Sequence, residues 1–277
     1  PDQGVVLDET NAEQFLLLDQ YERPEAERED LLEAATTAMV DKVLATDLPG
    51  PQVLASELGA VARAGHLSGY ATRPDEQRLF GLLGMDSSLP SLDGHDGLAV
   101  VTNNAAGNKI DSFLRREVRY EGTYDPDTGV VEAELSVRLV NTAPGEGYPD
   151  YVIGNLINEP PGTNRTLLSV YTPLGTSSVR IDGTPIDIAS ERELGWNVVT
   201  STVQLGPGER AEVELSLIGV VDPGEYRLVL RPQPLAERER FRIEVVDSPG
   251  AVQAGLVGVL EGPSVLDRTG LSTARRD

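Results

Sequence analysis

The sequence predicts an α+β protein, with an N-terminal helical layer followed by an antiparallel, Ig-like β-sandwich. Three observations carry that expectation. Up to residue 95 the apolar residues recur every three or four positions, the spacing of a helix face. From 96 to 247 they alternate with period two, the spacing of strands with one buried and one wet face. Nine of the 13 aromatic residues fall in that second stretch, where Gly/Pro turns separate short segments. The expected organisation is a helical region at 1–95, a sandwich at 96–247 and a tail at 248–277.

The elements follow in order. Thr10 or Asn11 can cap a helix running through Phe15, Leu16, Leu17 and Leu18, with Glu13 in its first turn. Pro24 can start the next, because a missing N–H costs nothing in a first turn. Leu31, Leu32, Ala35, Met39, Val43 and Leu44 give that helix one apolar stripe, which Leu48-Pro49-Gly50-Pro51 should end. Further helices are expected over 53–64 and 76–83, then a loop over 87–97. In 131–139 every odd position is apolar and every even one polar, and 116–124 is the natural hairpin partner across Asp125-Pro126-Asp127-Thr128-Gly129. Strands should follow at 166–171, 178–181, 197–205, 211–218, 226–230 and 241–246. Tyr226 opens one of them, where Ig-like sandwiches place a corner tyrosine. Residues 248–277 are small and polar and read as a partly ordered tail.

Composition excludes several functions. Lys and Arg number 23 against 45 Asp and Glu, a net charge of −22, so no nucleic-acid partner is expected. With no cysteine and only His66 and His95, neither a metal centre nor a cofactor is expected. No apolar run is long enough to span a bilayer, so any membrane attachment would use an anchor outside this sequence. The start at Pro1 reads as a fragment or a processed form.

The densest polar motif is the run from Val100 to Asp111, which includes Asn104, Asn108, Lys109 and Asp111. Asn108-Lys109-x-Asp111 matches the guanine-reading tetrapeptide of GTPases, but neither of the two lysines sits in a glycine-rich phosphate loop. Asn side chains closing turns between two domains is the plainer reading, and a ligand or partner site the sharper one. Residues 141–165 form the longest irregular stretch and carry Tyr148 and Tyr151 among prolines and amides. Such a loop suits a sugar or an extended peptide, or else serves as a rigid crossover between sheets. Asp125 to Gly129 is a hairpin turn before it is a calcium loop. His95 lies between Asp93 and Asp96 in a polar loop, and His66 sits at the end of a helical stripe, where a packed histidine is expected. No Gly-x-Ser-x-Gly elbow occurs, and no catalytic residue is assigned.

Asn104 to Arg116, with its Asn-Lys-x-Asp and the following Phe113-Leu114-Arg115-Arg116, resembles the signature of domain of unknown function family four thousand and twelve, common in actinobacteria. Residues 10–16, Asp19-Gln20-Tyr21 and Arg28 resemble its first helix, and Leu205-Gly206-Pro207-Gly208-Glu209 a turn of its C-terminal sandwich. The resemblance implies the C-terminal half of a longer, membrane-anchored, extracytoplasmic protein of the cell envelope. The expected function is a non-catalytic binding or scaffold module with a cell-envelope glycan or protein partner. The alternative is part of an envelope glycan or glycopolymer transferase or hydrolase whose catalytic residues lie mostly elsewhere.

Overall fold

The computed structural model describes residues 6–8, 10–45, 50–248 and 250–273. The chain opens with α1 (Ala12–Leu17), a 3-10 turn (Asp19–Glu22), α2 (Glu25–Ala45), α3 (Pro51–Arg63) and α4 (Pro74–Leu83). Prolines sit where helices start: Pro24 directly before α2, and Pro51 and Pro74 in the first turns of α3 and α4. Asn11 does not cap α1; its Oδ1 instead accepts from the Asp8 N–H at 3.0 Å. Gly84 ends α4 at φ +74°, and the Met85 N–H reaches back to the Phe80 carbonyl at 2.8 Å. Of the expected stripe on α2, the Val43 and Leu44 side chains lie outside the described residues. Leu31 is inside, whereas Met39 is 63% exposed. Of the stop expected after it, Leu48 and Pro49 lie outside the described residues.

Two seven-stranded sheets follow. The strands are β1 (Asp96–Asn104), β2 (Leu114–Tyr124), β3 (Val130–Asn141), β4 (Asn164–Thr172), β5 (Gly175–Ile181), β6 (Thr184–Pro185) and β7 (Ser190–Glu193). They continue with β8 (Trp196–Leu205), β9 (Arg210–Val220), β10 (Leu228–Leu230), β11 (Arg240–Asp247), β12 (Val252–Gly258), β13 (Ser264–Asp267) and β14 (Gly270–Thr273). A single helical turn, α5 (Asp150–Ile153), interrupts the connection from β3 to β4. The first sheet has the order β14-β13-β10-β1-β4-β8-β7 and the second β12-β11-β2-β3-β9-β5-β6. Inward residues of both sheets, among them Leu98, Val118, Tyr120, Leu135, Leu168, Leu215, Leu228 and Ile243, form one core.

This overturns the α+β, antiparallel Ig-like expectation. The protein is mostly β, the helical layer is a minor part, and both sheets are mixed. β10 runs parallel to β1, pairing Leu228 with Asp96, and β11 runs parallel to β2, pairing Arg240 with Glu117. Alternation shows which side chains face inward but not which way a strand runs. A hairpin forces antiparallel pairing, whereas strands more than a hundred residues apart are free of that constraint. The expected tail also gives way to structure. β12 extends the second sheet, and β13 and β14 extend the first. Among the described residues, no helix is long and apolar enough to cross a membrane.

Candidate functional site

The turn between β1 and β2 is built from asparagine side chains. Asn104 Oδ1 accepts from the Ala106 and Gly107 N–H groups at 2.8 and 3.0 Å, and its Nδ2 donates to Asn108 Oδ1 at 2.8 Å. Asn108 Nδ2 donates to the Gly154 carbonyl, and its Oδ1 accepts from the Ile110 N–H at 3.3 Å. Gly107 has φ +73°, and a Cβ there would stand 2.8 Å from Leu156. The turn is thereby zipped to the 150–156 segment, where the Lys109 N–H also meets the Val152 carbonyl at 3.3 Å. Asp111 closes the set, its Oδ1 accepting from Asn164 Nδ2 at 3.1 Å and Asn104 Nδ2 at 3.4 Å. Burial pushes the Asp111 carboxyl above its ordinary value, and the two amide bonds pull the other way.

The remaining predicted residues come together one step away. Tyr151 stacks on Tyr21 with ring centroids 4.9 Å apart, and the Arg28 guanidinium lies 4.6 Å from the Tyr151 ring. Tyr148 meets Phe113 edge-on at 5.4 Å. Around them Leu18, Val152 and Ile153 form a small second core, which fastens the first helices to the sandwich. The exposed Lys109 reaches toward the same ring, its Nζ 5.9 Å from the Tyr151 centroid. Asp111→Ala is therefore expected to lower stability by about 1–3 kcal/mol by stripping buried amides of their acceptor. Lys109→Ala should cost no more than about 0.5 kcal/mol, as surface changes do. Urea melts of both variants check this; equal losses would mean the lysine carries the turn.

Two buried polar sets were not foreseen. Asp96 is fully buried on β1, and its Oδ2 accepts from both the Tyr120 and Tyr226 hydroxyls at 2.6 Å, while its Oδ1 accepts from the Gly97 N–H at 2.7 Å. Burial raises the Asp96 carboxyl, and it also raises both phenols well above their ordinary range, with the neighbouring Asp96 charge adding to that. Tyr226 is thus a partner of Asp96 and not a corner tyrosine. Tyr124 takes the backbone role, donating to the Asp222 carbonyl at 3.1 Å. In the second set, Arg116 on β2 pairs with Glu239 at 2.7 Å, both side chains nearly free of solvent. Gln233 completes it, accepting from the Arg116 Nη1 at 3.0 Å and the Thr102 N–H at 2.9 Å. Within 141–165 the tether is likewise polar: buried Asn141 donates to the Gly162, Leu205 and Gly206 carbonyls at 2.7–3.0 Å.

The histidines stand apart from these sets. His66 is exposed at the rim of a cleft of about 30 Å³, not packed in a core. His95 has Asp96 as its neighbour in sequence, but that carboxylate is spent on two tyrosines. Among the described residues, no group of three or more His, Cys, Asp or Glu side chains could hold a metal ion. Among the described residues, open concave surfaces lie on the outer face of the second sheet. One of about 700 Å³ includes Glu121, Glu132, Glu134 and Glu244 in its lining, and one of about 320 Å³ is lined chiefly by arginines.

No family model and no curated protein matches the chain. Among solved structures, a Legionella pneumophila protein described as nutrient binding is similar at 6% identity and a TM-score of 0.32, over 55% of this chain and 56% of that one. An M1 zinc metallopeptidase from Deinococcus radiodurans is similar at 13% identity and 0.28, over 48% and 32%. Yeast LTA4 hydrolase in complex with bestatin is similar at 9% and 0.31, over 52% and 24%. The chain therefore spans little more than half of the first of these and a third or less of the other two.

Proposed function

We propose that the chain is an extracytoplasmic module of the cell envelope that binds or scaffolds and does not itself catalyse. The observation that carries this reading is the helical layer. Met39 and Val40 on α2, Val61 on α3, and Leu79, Leu82 and Leu83 on α4 are 44–68% exposed. Exposed apolar surface of that kind marks an interaction site in a soluble domain. The polar sets support the same reading. Asp96, Asp111, Arg116 and Glu239 are all tied to neighbouring side chains. The resemblance of residues 104–116 to family four thousand and twelve supports the location, and the partner is a cell-envelope glycan or protein.

The test is co-sedimentation of the purified chain with washed cell-envelope particles. The wild type is expected to sediment with them. Leu79→Glu combined with Leu82→Glu should stay in solution with an unchanged melting temperature, because both side chains are already solvated. Turnover of a chromogenic glycoside or ester that survives repurification, and that one carboxylate substitution abolishes, would contradict the proposal.

A further inference from the structure

The geometry points to a site for the phosphate groups of a linear polyanion, in the arginine-lined groove on the outer face of the second sheet. This inference rests on reading the chain as a binding module and names the chemistry of one ligand. Strand register builds the groove. Pairing of β2 with β3 sets Glu117 opposite Arg138, and pairing of β2 with β11 sets Arg240 opposite the same Glu117. Arg115 lies two positions along β2 on the same face, since side chains alternate. Arg238 and Arg240 flank Glu239, whose inward side chain is pinned by Arg116 at 2.7 Å. That buried pair turns its two arginine neighbours outward, and both are exposed. The result is a groove of about 320 Å³ in which Arg115, Arg138, Arg238 and Arg240 outnumber Glu117 and Glu237.

These arginines are weakly engaged. Arg115 reaches Glu237 only at 3.9 Å and Arg238 reaches Glu261 only at 3.9 Å, both pairs well exposed. Among the described residues, Arg138 and Arg240 have no carboxylate within 4.0 Å, in a chain where acids outnumber bases almost two to one. Guanidinium groups converging from three strands and a loop suit a tetrahedral phosphate, whose oxygens can take forks from more than one side. A carboxylate offers its two oxygens in one plane and fills one fork. The far end of the same face carries Glu121, Glu134 and Glu244 side by side across three strands, so a polyanion is repelled there and held at the arginine end. With a net charge of −22 the chain as a whole repels a polyanion, so binding depends on these short-range contacts alone.

The experiment is calorimetric titration at low salt with linear inorganic polyphosphate, orthophosphate and polygalacturonate. Polyphosphate is expected to bind, with polygalacturonate weaker by about tenfold or more and orthophosphate weaker still. Arg138→Gln with Arg240→Gln should weaken polyphosphate by about tenfold or more without moving the melting temperature, and Arg192→Gln on β7 should change it by less than about twofold. Absence of polyphosphate binding, or full binding by the double variant, would overturn the site. Equal binding of polygalacturonate would overturn the choice of phosphate. Release of orthophosphate from polyphosphate by the chain would instead overturn the non-catalytic reading on which the inference rests.

Discussion

Glu239→Ala is expected to lower the unfolding free energy by about 3–5 kcal/mol, because it leaves the Arg116 guanidinium charged, buried and unpaired. The mirror change, Arg116→Ala, should cost a similar amount for the same reason. Burial raises the Glu239 carboxyl while the Arg116 charge opposes that rise, so the pair is held against a desolvation cost. Its geometry is also incomplete: Arg116 Nη2 and Glu239 Oε1 are buried without partners. An apolar pair, Arg116→Met with Glu239→Leu, should therefore be far less damaging than either single truncation. Denaturant melts of the three variants decide the matter. Additive losses would show that the two residues do not act as a pair.

The second large effect is expected at Asp96. Asp96→Ala should cost roughly 2–6 kcal/mol, since two buried phenol hydroxyls each lose their acceptor at about 1–3 kcal/mol. Asp96→Asn keeps an acceptor and should cost much less. The pH dependence has a fixed sign. A carboxyl raised above 3.8 in the folded state, as Asp96 is, favours folding fully below 3.8 and loses that contribution as pH rises through its folded value. Asp111 is raised too, so stability should increase as pH falls from neutral. Asp8, Asp125 and Asp267 are lowered by local hydrogen bonds, so their contribution is lost only on going below 3.8, where stability should fall again. In Asp96→Asn the acid-side gain should shrink. An unchanged pH profile in that variant would mean that Asp96 does not titrate in the folded protein.

What the sequence made legible was local. The β2–β3 hairpin could be read because 131–139 alternates without a break, and Val118 and Tyr120 do face Val137 and Leu135 in register. The asparagine turn at 104–108 could be read because Asn side chains bond to backbone two or three residues on. The parallel partners of β1 and β2 could not, since nothing in a short apolar run states its direction. Arg116 with Glu239, and Asp96 with Tyr226, are separated by 123 and 130 residues, and no spacing rule links them. β12 was missed because Val252 to Gly258 mixes small residues with glycine and shows no alternation. The helices were found from their period, but a period says only that a stripe exists. Met39 belongs to such a stripe and yet is 63% exposed, as Leu82 on α4 is 68% exposed, and that exposure is the feature on which the functional reading turns.

The most direct test of that reading compares, per folded molecule, the envelope co-sedimentation of Asp96→Asn with that of Leu79→Glu/Leu82→Glu. The account predicts wild-type sedimentation for the buried variant and loss for the surface variant. A folded Asp96→Asn protein that no longer sediments, beside a surface variant that still does, would place the function in the buried polar set and contradict the account.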